Sequence, residues 1–181
     1  MREFLRRGGW IFLGIIIVGS ALAGGLYSVF ASKSGGQSNS GYISCPVKSF
    51  GQQKPGKYGK YEGAKLVGFT PVKNVSYVQC WDEKVGSGAT ATPTSQITVN
   101  YTGALASNGM IFQSSLDTGQ PVPLNLDGGV IPGWTAGIPG MKVGGSRRLL
   151  IPAQYAYGST GSAGIPSNSD LVFDVTLLAV K

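Results

Sequence analysis

The chain has 181 residues, including 29 glycines and 10 prolines, and a formal net charge of +7 without any histidine. This length suits one ordinary domain with an additional segment, and the many turn-forming residues favour a sheet-rich fold. With no histidine and only two cysteines, Ser-His-Asp catalysis and His- or Cys-ligated metal sites are excluded. We therefore expect no metal and no cofactor.

The first 31 residues have the pattern of a membrane anchor. Three arginines precede an uncharged, largely apolar run at residues 10–31. A helix of that length, at about 1.5 Å per residue, spans the roughly 30 Å core of a bilayer. The arginines place the N-terminus in the cytoplasm, which predicts a single-pass cell-membrane protein with an extracytoplasmic C-terminal domain. The alternative is a cleaved signal peptide and a secreted protein, because residues 21–23 match the A-x-A cleavage pattern.

Residues 32–74 carry most of the positive charge. They include seven lysines and one acidic residue, whereas residues 75–181 carry five basic and six acidic residues. A nucleic-acid-binding domain would array its basic residues on a folded face. We interpret this segment instead as a solvated linker, Ser/Gly-rich at first and then a Lys-rich collar, and predict no nucleic-acid partner.

The two cysteines, Cys45 and Cys80, are predicted to form a disulfide. The prediction follows from export and the even number of cysteines, since disulfides persist outside the cytoplasm. Two buried free thiols are the alternative. The link would join the collar to the first strand of the globular half.

Residues 75–181 show the pattern of an antiparallel sheet. Ile97, Val99 and Tyr101 alternate with polar residues, which is typical of a half-buried strand. An Asn-Gly turn at residues 108–109 leads into a return strand. Two more strands are predicted at residues 147–151, with Arg147 and Arg148 on the surface, and at residues 171–180. A short helix suits residues 132–138, with Pro132 in its first turn. The predicted fold class is α+β, an antiparallel half-barrel sheet wrapped around one short helix.

Seven motifs in this half occur in the order of a known family. They are YTG, F-x-SS, V-I-x-GW, G-M-x-x-G, YAYG, GIP and LVFDV-x-L-L. On these motifs residues 75–181 resemble the FKBP-type peptidyl-prolyl cis/trans isomerases. The resemblance implies non-covalent catalysis of prolyl isomerisation, with proline-containing polypeptides as substrates and rapamycin-class macrolides as ligands. Together with the predicted export, it points to an isomerase that assists the folding of exported proteins.

The resemblance also implies roles for particular residues. Trp134 forms the floor of an apolar pocket, and the Tyr157 hydroxyl and the Ile131 backbone N–H bind substrate carbonyls. The implied walls and rim comprise Tyr101, Phe112, Val122, Leu124, Val130, Ile165 and Phe173. No proton-transferring base is needed, which suits a site without histidine.

The chain departs from the family pattern at Gln113, where an aspartate is usual. An amide can still form hydrogen bonds there but brings no charge. Turnover and macrolide affinity weaker than those of the Asp-bearing family members are therefore open possibilities. The alternatives are a non-enzymatic peptide-binding chaperone or envelope scaffold with the same pocket, and an adhesion protein whose Lys-rich collar contacts anionic polymers.

Overall fold

The computed structural model describes residues 43–57 and 59–181. The predicted anchor and the Ser/Gly-rich stretch at residues 32–42 lie outside these residues. Among the residues described, none of the helices has the length and apolar character needed to cross a bilayer.

The folded body is built on one antiparallel sheet. Its strands run in the spatial order β1-β5-β6-β2-β3, and β4 pairs with β2 beyond the end of β3. The bounds are β1 Gln79–Lys84, β2 Gln96–Leu105, β3 Ile111–Ser114, β4 Val122–Asn125, β5 Ser146–Ile151 and β6 Leu171–Val180. The strands predicted from alternation are confirmed, whereas β4 was not predicted.

The inner face of the sheet packs against α1 Pro132–Gly137, the one α-helix within residues 43–57 and 59–181. Two glycines let the helix lie close to β5. A Cβ at Gly137 would be 2.7 Å from Leu149, and one at Gly133 would collide with Ile151. Alternation buries Val99, Phe173 and Val175 against this helix, so the predicted α+β arrangement is confirmed.

The outer face is covered by the segment that precedes the domain, residues 43–74, which we call the strap. Leu66, Phe69 and Val72 pack against Leu150 and Val172 of the outer face. Among its described residues the strap contains no strand or helix. It differs from the predicted solvated linker because its apolar side chains complete a second hydrophobic cluster.

The strap also pairs with both edges of the sheet. At one edge, Lys48 N–H donates to Asp82 O at 2.8 Å, and Asp82 N–H donates to Pro46 O at 3.0 Å. At the other edge, Gly63 N–H donates to Ile111 O at 2.8 Å, and Ile111 N–H donates to Ala64 O at 2.9 Å. Covering edge strands in this way satisfies backbone groups that would otherwise template aggregation.

The predicted disulfide between Cys45 and Cys80 is present, with Cα atoms 5.0 Å apart. Cys80 lies on β1 and is buried in the inner core. The bond therefore fastens the beginning of the strap to an edge of the sheet.

The prediction that Arg147 and Arg148 lie on the strand surface is wrong. Their exposed fractions are 6% and 2%. Arg147 forms a bidentate ion pair with Asp82 and donates to Gly137 O at 2.8 Å, at the C-terminus of α1. Arg148 pairs in the same way with Asp174 on the opposite face. The surface position was predicted because arginine is charged. Carboxylate partners on neighbouring strands allow both side chains to be buried.

A candidate aromatic binding site

Four aromatic side chains from four elements meet on the inner face of the sheet. Trp134 at the start of α1 makes edge-to-face contacts with Tyr101 of β2 and Phe173 of β6, at centroid distances of 5.7 and 5.5 Å. Phe112 of β3 meets Phe173 in the same way at 5.9 Å. Such contacts add about 0.5–1.5 kcal/mol each beyond area burial. Trp134 and Phe173 are buried, and half-buried Phe112 brings the cluster to the surface.

A β-bulge in β3 positions Phe112 and Gln113 at the solvent-facing edge of this cluster. Gly103 pairs with Gln113 and Ala104 pairs with Ile111, so Phe112 is the extra residue. Side chains directly opposite each other lie on the same face of a sheet, which places Gln113 with Gly103 on the inner face. The bulge therefore presents Phe112 and Gln113 on the same side, as bulges beside binding sites often do.

Gly103 itself leaves the space that two of the rings occupy. A Cβ there would lie 2.7 Å from both Phe112 and Phe173. Sequence reasoning missed this role, although a glycine inside an alternating strand does indicate a close approach.

We expect Gly103→Ala to lower the free energy of unfolding by about 1–3 kcal/mol, because both rings must move in a packed core. Urea unfolding measures this cost, and the near-ultraviolet circular dichroism of the aromatic cluster should change with it. Gly56→Ala is the comparison, because its nearest contact, the Ala64 Cβ at 3.2 Å, is also tight but less so and lies in the strap rather than among the aromatic rings. Equal costs for the two variants would contradict the proposed crowding.

The other predicted wall residues join the same cluster. Val122 and Leu124 of β4 are half-buried and lie opposite Val99 and Ile97. Val130, Ile131 and Ile165 are buried. Ile165 is held by a tight turn in which it exchanges two backbone hydrogen bonds of 2.9 Å with Ser162. All the predicted wall and rim residues thus lie on one side of the sheet.

Two N–H donors at this site have no acceptor among the described residues. One is the backbone N–H of Ile131, the residue preceding α1, whose carbonyl accepts from Trp134 N–H at 2.9 Å. The other is the indole Nε1 of the fully buried Trp134. Buried polar groups normally have a partner, so each exception calls for an explanation. Donors at an apolar site suit a ligand that brings carbonyl oxygens.

Tyr157 lies in the loop after β5, between a 3₁₀ turn at Ala153–Tyr155 and Gly158. Its half-buried ring packs against the inner cluster. Burial raises the pKa of Tyr157 to about 12. Burial and then the nearby Tyr157 raise the pKa of Tyr101 to about 12 as well. Both phenols are therefore protonated at neutral pH and able to donate.

A separate cavity of about 220 Å³ lies on the outer face, under strap residues 50–53. Its lining includes polar residues of β2, β5 and β6, among them Asn100, Arg148, Asp174 and Thr176. Arg148 and Asp174 already neutralise each other there. Of the aromatic cluster only Tyr101 lines this cavity, so the inner face and the outer cavity are separate and the candidate site is the one on the inner face.

Comparison with known proteins matches this architecture to one family. The profile of the FKBP-type peptidyl-prolyl cis-trans isomerases matches residues 88–178. FK506-binding protein 4 of Emericella nidulans is 44% identical over 118 residues, 65% of this chain and 24% of that protein. The FKBP-type isomerase FkpA of Escherichia coli K12 is 47% identical over 98 residues, 54% of this chain and 36% of that protein.

Solved structures agree with the sequence comparison. The crystal structure of FkpA from Escherichia coli matches with a TM-score of 0.54 and 44% identity, covering 58% of this chain and 48% of that one. AtFKBP13 matches with a TM-score of 0.53 and 34% identity, covering 57% and 93%. The chain thus spans about a quarter to a third of the length of the two curated relatives. It belongs to the FKBP-type peptidyl-prolyl cis-trans isomerase family.

Proposed function

We propose that this chain is a peptidyl-prolyl cis/trans isomerase that assists the folding of exported proteins by non-covalent catalysis. The observation that carries the proposal is the Ile131 N–H, which has no acceptor among the described residues and lies beside the cluster of Tyr101, Trp134 and Phe173. Family membership and the protonated Tyr157 support it. Proline-containing polypeptides are the proposed substrates, and rapamycin-class macrolides are the proposed competing ligands.

The apolar site suits this reaction because of how the amide bond rotates. The barrier of about 18–20 kcal/mol arises from amide conjugation, which is lost in the twisted state. The twisted amide therefore has less charge separation than the planar one. A dry aromatic pocket disfavours the planar amide relative to the twisted one, while Ile131 N–H and the Tyr157 hydroxyl hold the flanking carbonyls. No bond is broken and no proton is transferred.

Tyr157→Phe tests the proposed hydrogen bond. Losing one hydrogen bond of about 0.5–1.5 kcal/mol should lower kcat/KM by a few-fold to about tenfold. Because the folded pKa is raised to about 12, the phenol stays protonated and kcat/KM should not titrate through Tyr157 between neutral pH and about 10. A protease-free isomerisation assay across this pH range measures both effects. Complete loss of activity in a folded variant would contradict a role limited to hydrogen bonding.

Gln113→Asp tests the main departure from the family pattern. An ionised carboxylate accepts hydrogen bonds about twice as strong as those of a neutral amide. The wild-type chain should therefore be a weak isomerase, and the variant should gain in both kcat/KM and rapamycin affinity. Gln113→Glu is the matched control, since it adds the charge without shortening the side chain. A fall in both quantities for both variants would contradict this account of the position.

A non-enzymatic peptide-binding chaperone or envelope scaffold is the second candidate, favoured by the neutral Gln113 at the mouth of the site. Such a protein would slow the aggregation of unfolded clients whether or not they contain proline, without accelerating isomerisation. Measuring both activities on the same preparation separates the two functions.

The proposed location is the cell membrane, with the folded body outside the cytoplasm. The support is the uncharged run at residues 10–31 behind three arginines. Secretion after cleavage is the alternative. N-terminal sequencing of the native protein distinguishes them, because cleavage would give a new terminus at residue 24 or 32.

A further inference from the structure

The strap adds a short antiparallel segment to the edge of β3 that faces away from β2. Ile111 exchanges backbone hydrogen bonds of 2.8 and 2.9 Å with Gly63 and Ala64. Leu66 N–H donates to Gly109 O at 2.9 Å, and its side chain is buried with that of Ile111 in the outer cluster. β3 is therefore held from both sides, by β2 and by the strap.

A second attachment lies just after β3, at Asp117 in the 3₁₀ turn Ser115–Asp117. Its Oδ1 accepts Tyr61 N–H at 2.6 Å and its Oδ2 accepts Glu62 N–H at 3.0 Å. These two residues begin a turn, closed by Ala64 N–H to Tyr61 O at 3.0 Å, that leads into the added segment. Hydrogen bonds to an ionised carboxylate are about twice as strong as neutral ones. One carboxylate thus fixes the turn of the strap.

The two attachments bracket the part of the aromatic site that β3 supplies. Phe112 and Gln113 lie between Ile111 and Asp117, and the bulge presents both on the inner face. A bulge interrupts the ladder of hydrogen bonds to the neighbouring strand, and β3 has only four residues. The position of Phe112 therefore depends on what holds the other edge of β3.

Two buried serines connect the same segment to β2. Ser115 Oγ accepts Tyr101 N–H at 3.0 Å, and Ser114 Oγ and the Thr102 hydroxyl form a hydrogen bond of 2.9 Å. Tyr101 contributes another ring to the aromatic site. A displaced 3₁₀ turn would consequently move the backbone of Tyr101 as well as Phe112.

We propose that Asp117 is a positioning residue for the aromatic site, because it ties the strap to the end of β3 and so holds Phe112 and Gln113 in the arrangement that binds ligand. The family profile matches residues 88–178, so the strap side of this contact lies outside the match. The proposal rests on the proposed function for the identity of its ligands. Without the tie, a smaller fraction of the free protein has the competent arrangement, and the apparent affinity falls with that fraction.

Asp117→Ala in the full chain, purified in detergent, tests this role. KM for a Leu-Pro peptide and the calorimetric Kd for rapamycin should rise together by about three- to tenfold. The value of kcat should stay within about twofold, because bound ligand restores the arrangement. A fall in kcat with KM and Kd unchanged would indicate only a lost active fraction and would overturn the proposal. Asp117→Asn keeps one acceptor oxygen, so it should show a smaller rise, and it carries the test if the alanine variant does not fold.

Glu62→Gln is the matched control. It removes one negative charge, as Asp117→Asn does, from an exposed side chain whose backbone N–H still binds Asp117. KM and Kd should equal those of the wild type. Rises as large as those of the Asp117 variants would show that charge and not the tie is responsible, which would overturn the proposal.

Hydrogen exchange tests the tie without relying on catalysis. In Asp117→Ala the amides of Gly63 and Ile111 should exchange at least about tenfold faster than in the wild type, and saturating rapamycin should slow them again, since coupling between sites is reciprocal. The amides of Val143 and Gly144, bonded elsewhere at 2.9 and 2.8 Å, should be unchanged. No change at Ile111, or an equal rise at all four amides, overturns the proposal. A wild type without turnover refutes the proposed function, and the exchange and rapamycin measurements then still decide the positioning role.

Discussion

Replacing Arg148 by methionine should lower the free energy of unfolding by about 3 kcal/mol, the lower end of the cost of breaking a buried ion pair from one side, because the Asp174 side chain left behind is 31% exposed. The guanidinium is 2% exposed and binds Asp174 at 2.6 and 2.7 Å. It also donates to Gly68 O and Val67 O at 2.9 Å and lies 4.0 Å from the Phe50 ring centre. The variant leaves a carboxylate and two carbonyls without their donor, and it loosens the strap.

Urea unfolding measures this effect, with Lys142→Met as the control. Lys142 is exposed, so its replacement should change stability by no more than about 0.5 kcal/mol. Adding Asp174→Leu to Arg148→Met should restore much of the loss, since the unpaired charge is then gone. An Arg148 variant as stable as the Lys142 variant would show that the strap does not depend on this contact.

The Arg148 effect should also depend on pH. Burial raises the pKa of Asp174, while the hydrogen bonds and charge of Arg148 lower it. Without Arg148 the folded pKa rises further above the unfolded value, so the ionised carboxyl destabilises the fold at neutral pH. That penalty should shrink as the pH falls through the raised folded pKa, because the carboxyl becomes protonated.

Removing the disulfide with Cys45→Ala and Cys80→Ala should lower the free energy of unfolding by about 3–4 kcal/mol on the chain-entropy account. The bond closes a loop with a sequence separation of 35 residues, which contains most of the strap. Unfolding should be compared in the oxidised wild type, the reduced wild type and the double variant. The reduced wild type and the double variant should have similar unfolding midpoints, both below that of the oxidised wild type. A reductant that leaves the wild-type midpoint unchanged would contradict a stabilising role for the bond.

The long strands could be predicted from sequence because alternation of apolar and polar residues is a local property. Val99, Tyr101, Phe173 and Val175 are buried as the period of two requires. Strand β4 could not be found in this way. It has four residues with Pro123 among them, and proline is tolerated there because β4 pairs on one side only, with β2.

That Phe112, Trp134 and Tyr157 come together on one side of the sheet was expected from the resemblance, because these residues lie in motifs that occur in the family's order. The strap and the buried arginines were not. The burial of Arg147 and Arg148 depends on strand register, which places Asp82 opposite Arg147 and Asp174 opposite Arg148. The strap depends on contacts such as Gly63 with Ile111, which no periodicity within residues 43–74 encodes. Long-range pairing of irregular backbone leaves little local signal.

The most direct test of the proposed activity is prolyl isomerisation by residues 43–181, which include the strap and the disulfide. The substrate is a Leu-Pro peptide, followed without a coupling protease. We predict saturable acceleration of cis/trans exchange that rapamycin inhibits and that Tyr157→Phe reduces without abolishing. A folded protein that binds proline-containing peptides but leaves their exchange rate at the uncatalysed value would contradict the isomerase assignment and favour the peptide-binding chaperone.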